Sequence, residues 1–138
     1  MRTKDLLLVG AAALALTGCA PPPNDVATSP CTTPNCFVSV TITNDKIDVP
    51  VPDPVVIKGR GHVIHWEIKT PGYVFPDDGI VVQDDTGHEF DGGHTAEQGK
   101  KFQLNDKNNF KKRYKYTIKV LKGSSPLTPL DPFIANDP

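Results

Sequence analysis

Four histidines hold most of the coordination chemistry this chain could offer: His62, His65, His88 and His94. His88 and His94 stand in an acidic stretch with Glu89 and Asp91, a set of nitrogen and oxygen donors suited to Zn²⁺ or Cu²⁺. The other reading of the stretch is a polar loop carrying surface imidazoles. His62 and His65 are three apart in what reads as a strand, so they point to opposite faces and share one ion only if the strand bulges. Between positions 77 and 91 come six acidic residues, Asp77, Asp78, Asp84, Asp85, Glu89 and Asp91, with no Lys or Arg among them. Calcium takes several oxygen ligands, but the spacing lacks the alternation of an EF-hand loop, and solvated hairpins account for the run.

Covalent catalysis finds no foothold. Outside the first segment the serines are Ser29, Ser39, Ser124 and Ser125, none set in a nucleophile elbow. Gly59 and Gly61 frame a hairpin turn rather than a phosphate-cradling loop. The acidic pairs Asp77-Asp78 and Asp84-Asp85 are sequence neighbours that imply no convergent pocket. The expectation is a protein that is not an enzyme and carries no cofactor. Late in the chain Lys111, Lys112, Arg113, Lys115 and Lys119 make a basic end. Such a face suits anionic lipid heads or an acidic partner. It equally suits a strand guarded by lysine against aggregation.

The elements that must position these residues read as strands. In Val38-Ser39-Val40-Thr41-Ile42-Thr43 apolar residues alternate with hydroxyls. Residues 47–49 and 55–58 are short strands divided by Pro50, Pro52 and Pro54, which suit an edge. Residues 62–69 alternate again, with Ile64, Trp66 and Ile68 on one face and Val63, His65 and Glu67 on the other. Trp66, the single tryptophan, is expected at the centre of the core. Residues 79–83 read as a strand, 84–100 as loop with one short strand at His88-Glu89-Phe90, and 101–104 as a strand followed by a turn over 105–109. Residues 113–120 turn Tyr114, Tyr116, Ile118 and Val120 inward and Arg113, Lys115, Thr117 and Lys119 outward. Fourteen prolines and eleven glycines fit many turns. About seven short strands at such spacing predict an all-β chain, a single small antiparallel β-sandwich over residues 37–122. The Pro-rich stretch 123–138 is expected to lie over its surface as a tail, with Leu130 to Ile134 docking apolar groups.

The first segment is built differently. Arg2 and Lys4 give a positive start, and an apolar centre of about ten residues follows, too short for the ~20 of a spanning helix. Leu16-Thr17-Gly18-Cys19 closes it, and Pro21, Pro22 and Pro23 forbid a continuing helix. This ending resembles the lipobox of bacterial lipoproteins. The resemblance implies removal of residues 1–18 as a signal peptide and acyl chains on Cys19, which hold a protein to a membrane without a spanning helix. In such lipoproteins an aspartate after the cysteine signals retention at the inner membrane. Ala20 stands there, so the expected place is the outer membrane, facing the periplasm. Residues 19–36, rich in Pro, Ser, Thr and Asn, read as a tether.

With Cys19 taken by lipid, Cys31 and Cys36 become a pair in an oxidising compartment, and a disulfide closing a small loop is expected. Zinc on the two thiolates would need two more ligands, and the nearest histidine is His62. Without Arg2, Lys4 and Asp5 the chain carries 13 Lys and Arg against 15 Asp and Glu, a balance that points away from nucleic acid.

The order of features also resembles a cupredoxin-like sandwich: Lys58-Gly59 closing a valine-rich strand, then Trp66, then Tyr114-Lys115-Tyr116 late in the chain. In electron-transfer cupredoxins a Tyr-x-Tyr strand leads, two residues on, to a copper-binding cysteine. Ile118 holds that position here, and no His, Cys or Met follows it. The pattern, shared with immunoglobulin-like sandwiches, implies the architecture without type 1 copper, which needs a thiolate and two imidazoles. The functional expectation is a lipid-anchored, non-catalytic β-sandwich that binds a periplasmic protein or envelope component. Beside it stand a periplasmic Zn or Cu protein using the His88–His94 loop, and an inhibitor or immunity protein against a periplasmic enzyme.

Overall fold

The structure, a computed structural model, describes residues 30–49 and 53–138. The expected signal peptide, Cys19, the tether up to residue 29, and Pro50 and Pro52 lie outside these residues. The described chain is all β. Its strands are β1 (Asn35–Thr43), β2 (Lys46–Asp48), β3 (Val55–Lys58), β4 (His62–Ile68), β5 (Tyr73–Val74), β6 (Ile80–Val82), β7 (Phe90–Ala96), β8 (Lys101–Asp106), β9 (Lys112–Ile118), β10 (Leu121–Lys122), β11 (Ser125–Pro126) and β12 (Phe133–Asp137).

A five-stranded sheet runs in the order β2-β1-β4-β8-β7, and a four-stranded sheet in the order β3-β12-β9-β6. β11, β10 and β5 form a small third sheet. Pairing is mostly antiparallel, but β1 runs parallel to β4 and β12 parallel to β3, which departs from the purely antiparallel expectation. Strand alternation decides what each sheet buries. In the first sheet the registers place Val38 beside Trp66 and Trp66 beside Phe102, and Cys36 beside Ile64 and Ile64 beside Leu104. In the second, Ile134 lies between Val55 and Tyr114. These inward rows share one core, the arrangement of a sandwich.

Trp66 is fully buried, as expected, and its Nε1 donates to the Tyr116 hydroxyl at 3.3 Å, joining the two sheets at their centre. The two rings are 5.5 Å apart and tilted by 56°. This bond lets two amphipathic aromatics be buried without leaving a polar atom stranded. Tyr114, Tyr116, Ile118 and Val120 all face inward, as their alternation predicts.

Three boundaries differ from expectation. The C-terminal stretch is not a surface tail. β12 is an interior strand of its sheet, held between β3 and β9, and Ile134 is fully buried. It was hidden because only one of its two inward positions is apolar; the other is Asn136. Likewise the end of the expected tether is already structure: Cys31 bridges β3, with its N–H on Val56 O at 2.8 Å and its carbonyl accepting from Lys58 N at 2.9 Å. β7 is also longer than the short strand expected there, and its pairing with β8 slips between Asp91 and His94. Gly92 sits in that slip at φ +68°, where a Cβ would meet Asn105 Nδ2 at 2.6 Å, so the bulge needs glycine.

Candidate functional site: a buried polar end of the sandwich

The inward row of β8 does not stay apolar. Phe102 and Leu104 are followed on the same alternation by Asp106 and then, just past the strand, by Asn108, both buried. Asn136 joins them from β12 of the other sheet, and His62 is the cross-strand partner of Asp106. Glu89 comes in from the loop before β7 and is 1% exposed. One end of the sandwich is therefore filled with polar groups where the centre holds Trp66 and Tyr116.

Asp106 Oδ1 accepts from Asn108 N at 2.9 Å and from Asn136 Nδ2 at 3.0 Å. Asn108, in the left-handed region at φ +47°, donates through Nδ2 to the carbonyls of Ile57 and Gly59. Glu89 accepts from both the backbone and side-chain nitrogens of Asn109. His62 lies with Nδ1 2.7 Å from Thr33 O and Nε2 2.9 Å from Gly59 O. A neutral imidazole carries one N–H and serves only one of these carbonyls; a doubly protonated ring serves both. Thr33 belongs to the loop between Cys31 and Cys36, so His62 clamps that loop to the polar end.

Burial pushes the Asp106 carboxyl up to about 6, with the Glu89 charge adding to the rise and the hydrogen bonds from Asn108 and Asn136, together with the His62 charge, opposing it. Burial also raises the Tyr114 phenol, and Glu89, Asp85 and Asp106 push it the same way. Among the described residues no Lys or Arg reaches Glu89 or Asp106 within ion-pair distance.

The expected sites fall elsewhere. Cys31 and Cys36 are joined as a disulfide, their Cα atoms 5.5 Å apart, with Cys36 in the core. His88, His94, Glu89 and Asp91 are not assembled as ligands. His88 and His94 are exposed and Glu89 is buried. The His94 Nδ1 faces Gly92 O at 2.8 Å, while Asp91 accepts from Asn105 and pairs with Lys107 at 3.4 Å. Among the described residues no three His, Cys, Asp or Glu side chains are grouped to hold a metal. Three of the five cations of the basic end are matched within the chain: Lys115 pairs with Asp131 at 3.3 Å, Lys119 with Asp78 at 2.5 Å and Lys111 with Asp137 at 3.0 Å, while Lys112 donates to the Asp84 carbonyl. Arg113 lies 4.0 Å over the Phe133 ring. Asp78, Asp131 and Asp137 thus take up charge that the sequence left free.

Asp106, Asn108 and Asn136 were missed because 105–109 reads as turn chemistry. The available signal was the period of two through positions 102, 104, 106 and 108. No protein-family model and no curated protein matches the chain.

Proposed function

We propose that this chain is a lipid-anchored binding module of the bacterial outer membrane, facing the periplasm and acting without catalysis. One observation carries the reading. A positive start and a short apolar run end at Leu16-Thr17-Gly18-Cys19, and a proline run follows at once. Acylation at Cys19 holds the sandwich at the membrane, and residues 20–29 lead to the Cys31–Cys36 loop. The role fits a domain whose basic end is mostly paired within the chain, Lys111, Lys115 and Lys119 meeting Asp137, Asp131 and Asp78. The partner is a periplasmic protein or another envelope component.

Metabolic labelling with an alkyne fatty acid tests the anchor. Label should appear on the wild-type chain in the outer-membrane fraction, and Cys19→Ala should lose the label and leave that fraction. Label retained by the variant, or an unlabelled wild type, sinks the reading. Turnover by the purified protein on a hydrolase panel would contradict its non-catalytic half.

A further inference from the structure

Three oxygens at the polar end, Asp106 Oδ2, Asn108 Oδ1 and Asn136 Oδ1, are buried without a hydrogen-bond partner. Their residues are 1%, 0% and 3% exposed, respectively. Reorienting the amides does not help. The Asn136 Nδ2 already donates to a carboxylate oxygen, and the Asn108 Nδ2 to two carbonyls, so turning either group would set oxygen against oxygen. All three atoms are acceptors, and a buried acceptor left unmet costs about 1–3 kcal/mol.

Charge is out of balance in the same place. Glu89 and Asp106 are both 1% exposed and have only neutral donors in hydrogen-bond contact. His62 is the one basic side chain among the cluster's residues, and doubly protonated it offsets only one of the two carboxylates. A single buried water supplies two donors and no charge. A proton on Asp106 supplies one donor and leaves Glu89 ionised. A divalent cation answers both deficits, and oxygen-only donors select a hard one. The two His62 nitrogens are taken by carbonyls and no thiolate is near, which disfavours zinc or copper.

We propose that Asp106, Asn108 and Asn136 form a buried site for one hard, oxygen-seeking divalent cation of the Ca²⁺ class, with Glu89 supplying matching charge behind them. The three oxygens are the start of a shell of about six to eight, the rest falling to main chain and water. The site ties β8, β12 and the β8–β9 loop together, so occupancy is read as stability.

The test is thermal unfolding and calorimetry of the full chain in detergent, with Ca²⁺, Mg²⁺ or chelator. Saturable binding of one Ca²⁺ per chain should raise Tm, with Mg²⁺ much weaker. Asp106→Asn should weaken Ca²⁺ binding at least about tenfold, the loss expected when the only charged ligand goes. Asn136→Asp, of the same size, should lower Tm in chelator and increase the rise on adding Ca²⁺. This second variant decides the matter if Asp106→Asn does not fold. A wild type indifferent to Ca²⁺ overturns the proposal. So does Ca²⁺ binding undiminished in Asp106→Asn, which would place the ion on the surface acids, or an Asn136→Asp variant whose Ca²⁺ response equals the wild type's.

Discussion

The centre of the sandwich and its polar end are built from the same strands, yet they solve burial in opposite ways. At the centre, the Trp66 N–H is met by the hydroxyl oxygen of Tyr116. At the end, Asp106, Asn108 and Asn136 bring more acceptors than the fold has donors to give. On β4 Trp66 and His62, and on β8 Phe102 and Asp106, stand four residues apart, one of each pair at the centre and the other at the end. The lesson is that the inward position of a strand specifies burial, and only the partners found there decide whether a polar group is settled or waiting.

The contrast can be broken from either side. Trp66→Ala opens the largest hole in the core and removes the inter-sheet hydrogen bond; it should cost at least about 3–5 kcal/mol in urea unfolding. A loss under 1 kcal/mol would mean the centre is not where stability is concentrated. Next comes Asp106 in chelator. Its folded carboxyl, at about 6, sits above the ordinary value of 3.8, so the folded state favours the proton. The Asp106 contribution to stability should therefore be fully present below pH 4, fall by up to about 3 kcal/mol as pH rises through about 6, and level off above, while Asp45, Glu67, Asp78, Asp91 and Asp131, held low by their partners, work the other way at acid pH. Asp106→Asn should flatten that slope; a wild-type profile without it would show that the polar end is better solvated than its burial implies.

Smaller still is the clamp between the two regions and the N-terminal loop. Replacing both Cys31 and Cys36 by serine should cost roughly 2 kcal/mol, as expected for opening so short a loop. Amide exchange of the loop should quicken before that of β4. The smallest effect belongs to an aromatic outside both regions. Phe37 is 73% exposed and stacks on His65 at 4.9 Å. Phe37→Ser should stay within about 0.5 kcal/mol of wild type, and a larger shift would reveal a third region of importance.

Much of the centre was legible because its strands alternate without interruption. Positions 38–43, 64–69 and 113–120 show apolar residues at every second place, and those side chains are the buried ones. The polar end was not legible, because Asn and Asp are also the residues of turns. Asp106 and Asn108 continue the inward alternation of Phe102 and Leu104, but nothing local distinguishes that from a solvated hairpin. Recognition requires Asn136, thirty residues on from Asp106 and set among prolines. β12 itself was lost for the same reason, and β7 because Gly92 and Gly93 interrupt its period. The charge pairing of Lys115 and Lys119 likewise depends on Asp131 and Asp78, brought near only by the fold.

The junction at Cys31 has a mechanical meaning. A pull on the chain before Cys31 first loads its two hydrogen bonds to β3, which belongs to the four-stranded sheet. The disulfide passes the same load to Cys36 in β1, which belongs to the five-stranded sheet. Tension is shared between both halves of the sandwich instead of peeling one strand from an edge. A domain held this way resists being unzipped by a pull on the chain that precedes it.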